Sequence, residues 1–413
     1  PPRAPGRALL ARGRAGLAAA LGPAARSNRA EQRLPARKWP PLLRHGVALL
    51  PVKQRVLSSA QGGLPGQAGL TKWLPELDAK AKELSLDTWR PGECGNVSAN
   101  IVASGSSLPA NAPRVLHTGA FLRNWEKRGL TKVVAQKLQL NVLSFLATQD
   151  LDRTQLHIWT DVNVTEKDGI LQRVLRPISA RPELRRSVVI RRFNAGYEFQ
   201  RVAPNAALLL QGIFDEDEGL AQKSDLQRVI ILHNYGGMWI DTDVVLVQDM
   251  TPLMGVDWAY LGREHVPGNP ERGLVNGAVL SVSKPASLFA TAYLMALVSA
   301  YVAPERSGSY FRYGPLILEK LYREEWSRRY FHVLPTCFFD PGWSSERAAP
   351  TWDDFFRRPI KEQKEQLAYL YPKNELRTTF AYHWHGHWSD RMYRWSLASA
   401  LEKTYLWLLR LGP

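Results

Sequence analysis

Cysteine is scarce in the 413 residues: Cys94 and Cys337 are the only two. Two cysteines so far apart fit neither a zinc spacing nor a disulfide framework, though one bridge between them stays open. Long apolar runs are missing as well. No stretch of 18 or more uncharged apolar residues occurs, and the best run, Leu42 to Val52, is short and interrupted by Arg44. The chain as given therefore contains no membrane-spanning helix. The first residue is Pro1 and not Met, so any membrane association is expected through an N-terminal region that this chain does not include.

Acidic residues are almost absent from the first sixty positions, where ten Arg and two Lys face Glu31 alone. That segment carries +11 of the net +16, leaving +5 for the other 353 residues. The basicity belongs to a tail without interleaved aromatics, and no nucleic-acid-binding motif accompanies it, so nucleic acid is not an expected partner. Hydrophobic residues at 45%, charged residues at 22%, and 14 Trp, 14 Tyr and 13 Phe make a globular composition, which excludes disordered, collagenous and disulfide-scaffold classes.

Residues 1–110 alternate Pro, Gly, Ala and Arg with short apolar pieces and read as a basic, largely irregular tail or stem. Residues 111–413 read as the catalytic domain. Strands are expected at Pro113 to Thr118, Gln155 to Asp161, Ser187 to Ile190, Trp239 to Val247 and Ala278 to Val282. Apolar residues at intervals of three and four predict helices over Val133 to Leu146, Ala206 to Gln211, Leu226 to Asn234 and Ser287 to Tyr301. This alternation predicts an α/β fold, a single mixed, mostly parallel sheet flanked by helices. Two sequons, Asn96-Val97-Ser98 and Asn163-Val164-Thr165, are compatible with a secreted chain but arise often by chance.

The chemistry concentrates between Ser224 and Val247. Ser224 is placed to cap a helix, with Asp225 and Arg228 three apart on one face of its first turn. The helix is expected to stop at Tyr235-Gly236-Gly237, where glycine accepts left-handed backbone. A strand then leads out to Asp241-Thr242-Asp243, whose two carboxylates are expected to point the same way because the strand period is two. Carboxylates and a guanidinium at the carboxyl end of a strand occupy the usual ligand position of an open α/β sheet. Hard oxygen ligands there suit Mg²⁺ or Mn²⁺ together with diphosphate oxygens. A lone Asp-x-Asp is weak, since Asp215-Glu216-Asp217-Glu218 supplies another that reads as a solvated loop.

The ordered set Ser224-Asp225, Arg228, Tyr235-Gly236-Gly237, Trp239 and Asp241-Thr242-Asp243 resembles the DXD-containing glycosyltransferases of family 32. Val275-Asn276-Gly277-Ala278, Tyr313-Gly314-Pro315 and Phe338-Phe339-Asp340-Pro341 with Trp343 extend the resemblance towards its α-1,4-glycosyltransferase branch, the galactosyl- and N-acetylglucosaminyltransferases. The resemblance covers roughly Pro113 to Trp388. It implies a GT-A type nucleotide-diphospho-sugar transferase fold and a metal-dependent, retaining transfer of galactose or N-acetylglucosamine from a UDP-sugar to a glycan or glycolipid hydroxyl. It also implies lumenal placement in the Golgi.

By the same resemblance Asp243 ligates Mn²⁺ (or Mg²⁺), Asp241 meets the metal or the ribose, and Asp225 and Arg228 hold donor-sugar hydroxyls. Asn276 is a candidate for the sugar or acceptor side. Within Ala381-Tyr382-His383-Trp384-His385-Gly386-His387-Trp388, His383 fits the position of a histidine that closes over the diphosphate and adds a metal ligand, ahead of His385 and His387. Read from the residues alone, the alternating histidines are equally a metal site of their own or an aromatic edge on the core. Two other readings stay open: a GDP-mannose-dependent mannosyltransferase, and a nucleotide-sugar-binding protein without turnover.

Overall fold

A computed structural model describes residues 69–82, 84, 91–106, 108–109, 112, 114–127, 129–162, 169–204, 207–215, 220–262, 273–302, 313–341, 352–357 and 379–411. All of them lie in one compact unit, Ala48–Pro413. The sequon at Asn163, most of the acidic run after Asp215, the loop between Gly262 and Gly273, and Trp343 lie outside the described residues.

In chain order the elements that build the site are α1 (Leu74–Ala81), α2 (Pro91–Ser104), β1 (Arg114–Ala120), α3 (Thr131–Thr148), β2 (Thr154–Thr160), β3 (Val188–Arg192), α4 (Leu220–Tyr235) and β4 (Gly237–Ile240). There follow β5 (Val244–Leu246), β6 (Trp258–Gly262), β7 (Leu274–Val282), α5 (Leu288–Val302), α6 (Pro315–Arg323), β8 (His332–Leu334), β9 (Ala381–His383) and α7 (Leu397–Leu408).

Seven strands form one sheet in the order β3-β2-β1-β4-β7-β6-β8, and β5 pairs with β9 in a separate two-stranded ladder. β1, β2, β3 and β4 run parallel, β7 is antiparallel to both its neighbours β4 and β6, and β8 is again parallel to β6. The single mixed, mostly parallel sheet with flanking helices is the α/β arrangement expected from the sequence.

Strands covered by helices on both faces read as near-continuous apolar runs, and here this holds for an antiparallel strand of the mixed sheet as well as for the parallel ones. All nine residues of β7 are buried. Successive side chains alternate between two cores: Met238 and Ile240 of β4 pack with α3 on one side, and Trp239 packs with α4 and α5 on the other. No described helix is long and apolar enough to cross a membrane.

Three expectations are corrected. The irregular segment does not run to residue 110, because α1 and α2 bury Leu77, Cys94 and Ile101 against the core. Their short length and Pro- and Gly-rich sequence hide the helical period. Helix α4 begins at Leu220, so Ser224 lies inside it and not at its cap. The strand expected from Trp239 to Val247 is two strands, β4 and β5, with a turn at Asp241 to Asp243 closed by the Val244 N–H donating to the Asp241 carbonyl at 3.1 Å.

Cys94 of α2 and Cys337 form a disulfide across 243 residues. It ties α2 to the 3₁₀ turn Thr336–Phe338, immediately before Asp340.

Candidate active site

The Gly236-Gly237 turn delivers the sheet to the site. Gly236 has φ +65° and Gly237 φ +86°, left-handed values that side chains with a Cβ adopt at a cost. A Cβ on Gly237 would stand 2.6 Å from the Val115 carbonyl, so bulk is excluded as well as strain. His117 supports this turn from β1. Trp159 Nε1 donates to its Nδ1 at 3.1 Å, which leaves Nε2 carrying the proton toward the Gly236 carbonyl, also at 3.1 Å. Burial and the neighbouring His157 hold the His117 imidazole neutral, its pKa lowered to about 3.

Beyond β4 the two DXD carboxylates part company. Arg228, buried in α4, donates from Nη1 to Asp225 Oδ1 at 2.9 Å and from Nη2 to both oxygens of Asp241 at 2.8 Å. Trp239 Nε1 adds a bond to Asp241 Oδ1 at 2.5 Å. A desolvated guanidinium between two carboxylates remains charged and fixes both in place. The neighbours leave no room for alternatives: a Cβ on Gly277 would come within 2.5 Å of Arg228 Nη1, and one on Gly314 within 2.6 Å of Asp225 Oδ2. These close approaches explain why glycine stands in the Asn-Gly and Gly-Pro elements.

Asp243 faces the other way, toward β9. Its Oδ2 accepts from Gly386 N at 2.6 Å and lies 3.5 Å from His383 Nε2. Burial alone would lower the His383 pKa, but Asp243 and then Asp340 raise it to about 9. Burial raises Asp243 in turn, and His383 outweighs it, bringing the carboxyl down to about 2. Without a metal ion, then, the pair is an ion pair. Tyr260 Oη and His383 Nδ1 are hydrogen-bonded at 2.8 Å.

Asn276 lies within β7, opposite Tyr260 of β6. Cross-strand partners share a face, so Asn276 stands on the Tyr260 side and Gly277 on the Arg228 side. Its Oδ1 accepts from Ala278 N at 2.7 Å.

The structure therefore gathers Asp225, Arg228 and Asp241 into one group and Asp243 with His383 into a second. Four contributors escaped the sequence reading as site residues: Trp239, Tyr260, Gly314 and Asp340. Each stood inside or beside a quoted element except Tyr260, for which β6 offered no signal.

Residues 188–258 match a family profile described as the glycosyltransferase sugar-binding region containing the DXD motif. The chain carries a glycosyltransferase domain. That region spans β3, α4, both DXD carboxylates and β5, and DXD enzymes in general use a divalent metal and a nucleotide sugar. Solved structures similar to this transferase include PaToxG glycosyltransferase, with 15% identity over 70% of this chain and 96% of that one, TM-score 0.37. An active-site mutant of LgtC gives 12% identity over 66% and 87% with TM-score 0.36. Apo mouse xyloside xylosyltransferase 1 gives 13% identity over 67% and 98% with TM-score 0.37. Likeness this loose says nothing of donor or acceptor. No curated protein matches the sequence.

Proposed function

We propose that this transferase moves a hexose, galactose or N-acetylglucosamine, from a UDP-sugar to a hydroxyl of a glycan or glycolipid, with retention of configuration. The observation that carries the reading is the division of the DXD element at the carboxyl end of β4. Asp241 is held by Arg228, and Asp243 is turned toward His383. The first group presents fixed carboxylates and a guanidinium for sugar and ribose hydroxyls. The second offers a carboxylate and an imidazole nitrogen 3.5 Å apart, a spacing two ligands of one divalent ion adopt.

Asp243, with His383 beside it, would hold Mn²⁺ or Mg²⁺, and such an ion supplies electrostatic stabilisation to the departing diphosphate. Arg228 and Asp225 orient the sugar, and their burial removes the water that would screen those contacts. Among the described residues no side chain in the site stands as an evident nucleophile, in keeping with front-face attack by the acceptor. Golgi placement is part of this reading, and what supports it is the Cys94–Cys337 bridge, a pairing that persists in oxidising compartments.

The test is release of nucleoside diphosphate from a panel of UDP- and GDP-sugars by the wild-type chain, Asp243→Asn and Asp225→Asn. Release from one UDP-sugar is expected, abolished by chelator and lowered on the order of 10²- to 10³-fold in Asp243→Asn. Release from GDP-mannose instead would transfer the reading to the mannosyltransferases. Nucleotide-sugar binding without any release would leave a binding protein.

A further inference from the structure

The Asn96-Val97-Ser98 triplet, which the donor site does not use, lies on α2. The helix divides it between two environments. Cys94, Val97, Ser98 and Ile101 are buried, whereas Asn96, Ala99, Asn100 and Ala103 are exposed, an inward and an outward stripe at helical period. No hydrogen bond ties the Asn96 amide to another described residue, so its nitrogen faces outward unengaged.

The outward stripe is also poor in charge for a solvated surface. From Gly95 to Ser104 the helix carries no charged residue, and Val102 is 40% exposed. A surface helix ordinarily shows charged side chains on its outer face. Small neighbours at Gly95, Ala99 and Ala103 leave room around Asn96 for a bulky hydrophilic group, and such a group would cover the apolar surface beside it.

Burial of Ser98 obstructs access only in the finished fold. α2 packs on the 3₁₀ turns Thr251–Leu253 and Thr336–Phe338, and Cys94 waits for Cys337, 243 residues later. At about 5–20 residues per second that partner is made roughly 12–50 s after Cys94. During the interval the triplet sits on a chain that has neither the bridge nor those packing surfaces, and Asn96 and the Ser98 hydroxyl are both accessible.

From these observations we infer that Asn96 is an N-glycosylation site, filled during synthesis and held outward by α2 in the folded domain. The inference rests on the proposed function only for delivery to an oxidising lumen, which the Cys94–Cys337 bridge supports. The co-substrate is an oligosaccharide joined through its first sugar to a lipid diphosphate. Asn96 Nδ2 forms a bond to C1 of that sugar, the C1–O bond to the diphosphate breaks with its electron pair leaving on oxygen, and one amide proton passes to a base of the transferring enzyme. That enzyme reads a hydroxyl two residues after the asparagine and any residue but proline between them. Ser98 and Val97 meet both conditions. The second triplet, at Asn163, lies outside the described residues and shares none of this structural support.

The experiment expresses the full chain behind a cleavable leader in a eukaryotic cell and compares electrophoretic mobility before and after peptide-N-glycosidase. Peptide mass spectrometry then locates the deamidation that the glycosidase leaves. Wild type, Asn96→Gln, Ser98→Ala and Asn163→Gln are compared, with non-reducing peptide mapping to confirm that the wild-type chain has formed Cys94–Cys337. Treated wild type is expected to migrate faster, with deamidation at Asn96. That glycan should be lost in Asn96→Gln and also in Ser98→Ala, which keeps the asparagine, and should persist in Asn163→Gln. Nucleoside diphosphate release in Asn96→Gln should match wild type, because Asn96 faces away from the core.

A bridged wild-type chain without sugar at Asn96, or a mobility shift that Asn163→Gln alone removes, overturns the inference. The transfer reading fails separately. UDP release by a chain bare at Asn96 leaves that reading standing, and a glycan at Asn96 stands even where no nucleotide sugar is turned over.

Discussion

The two aspartates of one Asp-Thr-Asp element live in opposite electrostatic worlds. Asp241 is locked by a permanent cation, Arg228, that lies 13 residues upstream and reaches both of its oxygens. Asp243 faces a titratable cation, His383, contributed by a strand 140 residues downstream. A guanidinium cannot be displaced by an ion that needs a lone pair, whereas an imidazole that loses its proton becomes a ligand. The first half is consequently scaffold and hydroxyl binder, and the second is where charge can be exchanged.

The largest expected effect removes the permanent cation. Arg228→Met leaves Asp225 and Asp241 buried and uncompensated, which costs about 3–5 kcal/mol and should appear as a lowered midpoint in urea denaturation. His383→Gln, the matching change in the second half, leaves Asp243 its bond from Gly386 N and should cost only about 1–2 kcal/mol. Equal losses would mean that the two halves do not differ as described.

The disulfide offers a way to disturb one half and spare the other. Cys94–Cys337 fixes α2 to the turn that precedes Asp340, whereas Asp225 and Arg228 sit on α4, away from the bridge. Cys94→Ser should lower stability by about 2–4 kcal/mol. Amide exchange should accelerate around Phe338 to Asp340 and remain slow in α4; uniform acceleration would show that the bridge stabilises the whole domain without favouring that side.

How far the site is legible in the sequence follows the same division. Asp225, Arg228 and the glycine turn lie on one continuous helix–turn–strand path, and helical spacing with glycine punctuation is enough to place them. The period-of-two argument for Asp241 and Asp243 fails because β4 ends at Ile240 and a turn intervenes. Arg228 and Trp239 capture the first carboxylate before any strand could carry it alongside the second. On the other side, Asp340 and His385 meet across 45 residues, between a 3₁₀ turn and a left-handed run. No local periodicity encodes that meeting. The sheet is legible for the opposite reason, since buried parallel strands announce themselves as apolar runs whichever residues they contact.

Acid should separate the halves by the smallest of these effects. His117, which holds the Gly236 turn beneath the Asp241 half, is neutral when folded with its pKa lowered from 6.5 to about 3. Between those values the unfolded chain binds a proton that the folded chain refuses, so this contribution is present above pH 6.5 and is lost as pH falls toward 3. From pH 7 to pH 5 that amounts to about 2 kcal/mol. Over the same range His383, raised to about 9, stays protonated and Asp243, lowered to about 2, stays ionised, so their ion pair is untouched. Urea midpoints at pH 7 and pH 5 for wild type and His117→Asn isolate the term, because the variant should lose the corresponding part of the slope. Faster amide exchange at pH 5 in Met238 to Asp241, with His383 to Gly386 unchanged, would place the acid sensitivity beneath the arginine-held carboxylate. The reverse pattern would place it at the histidines and break the contrast.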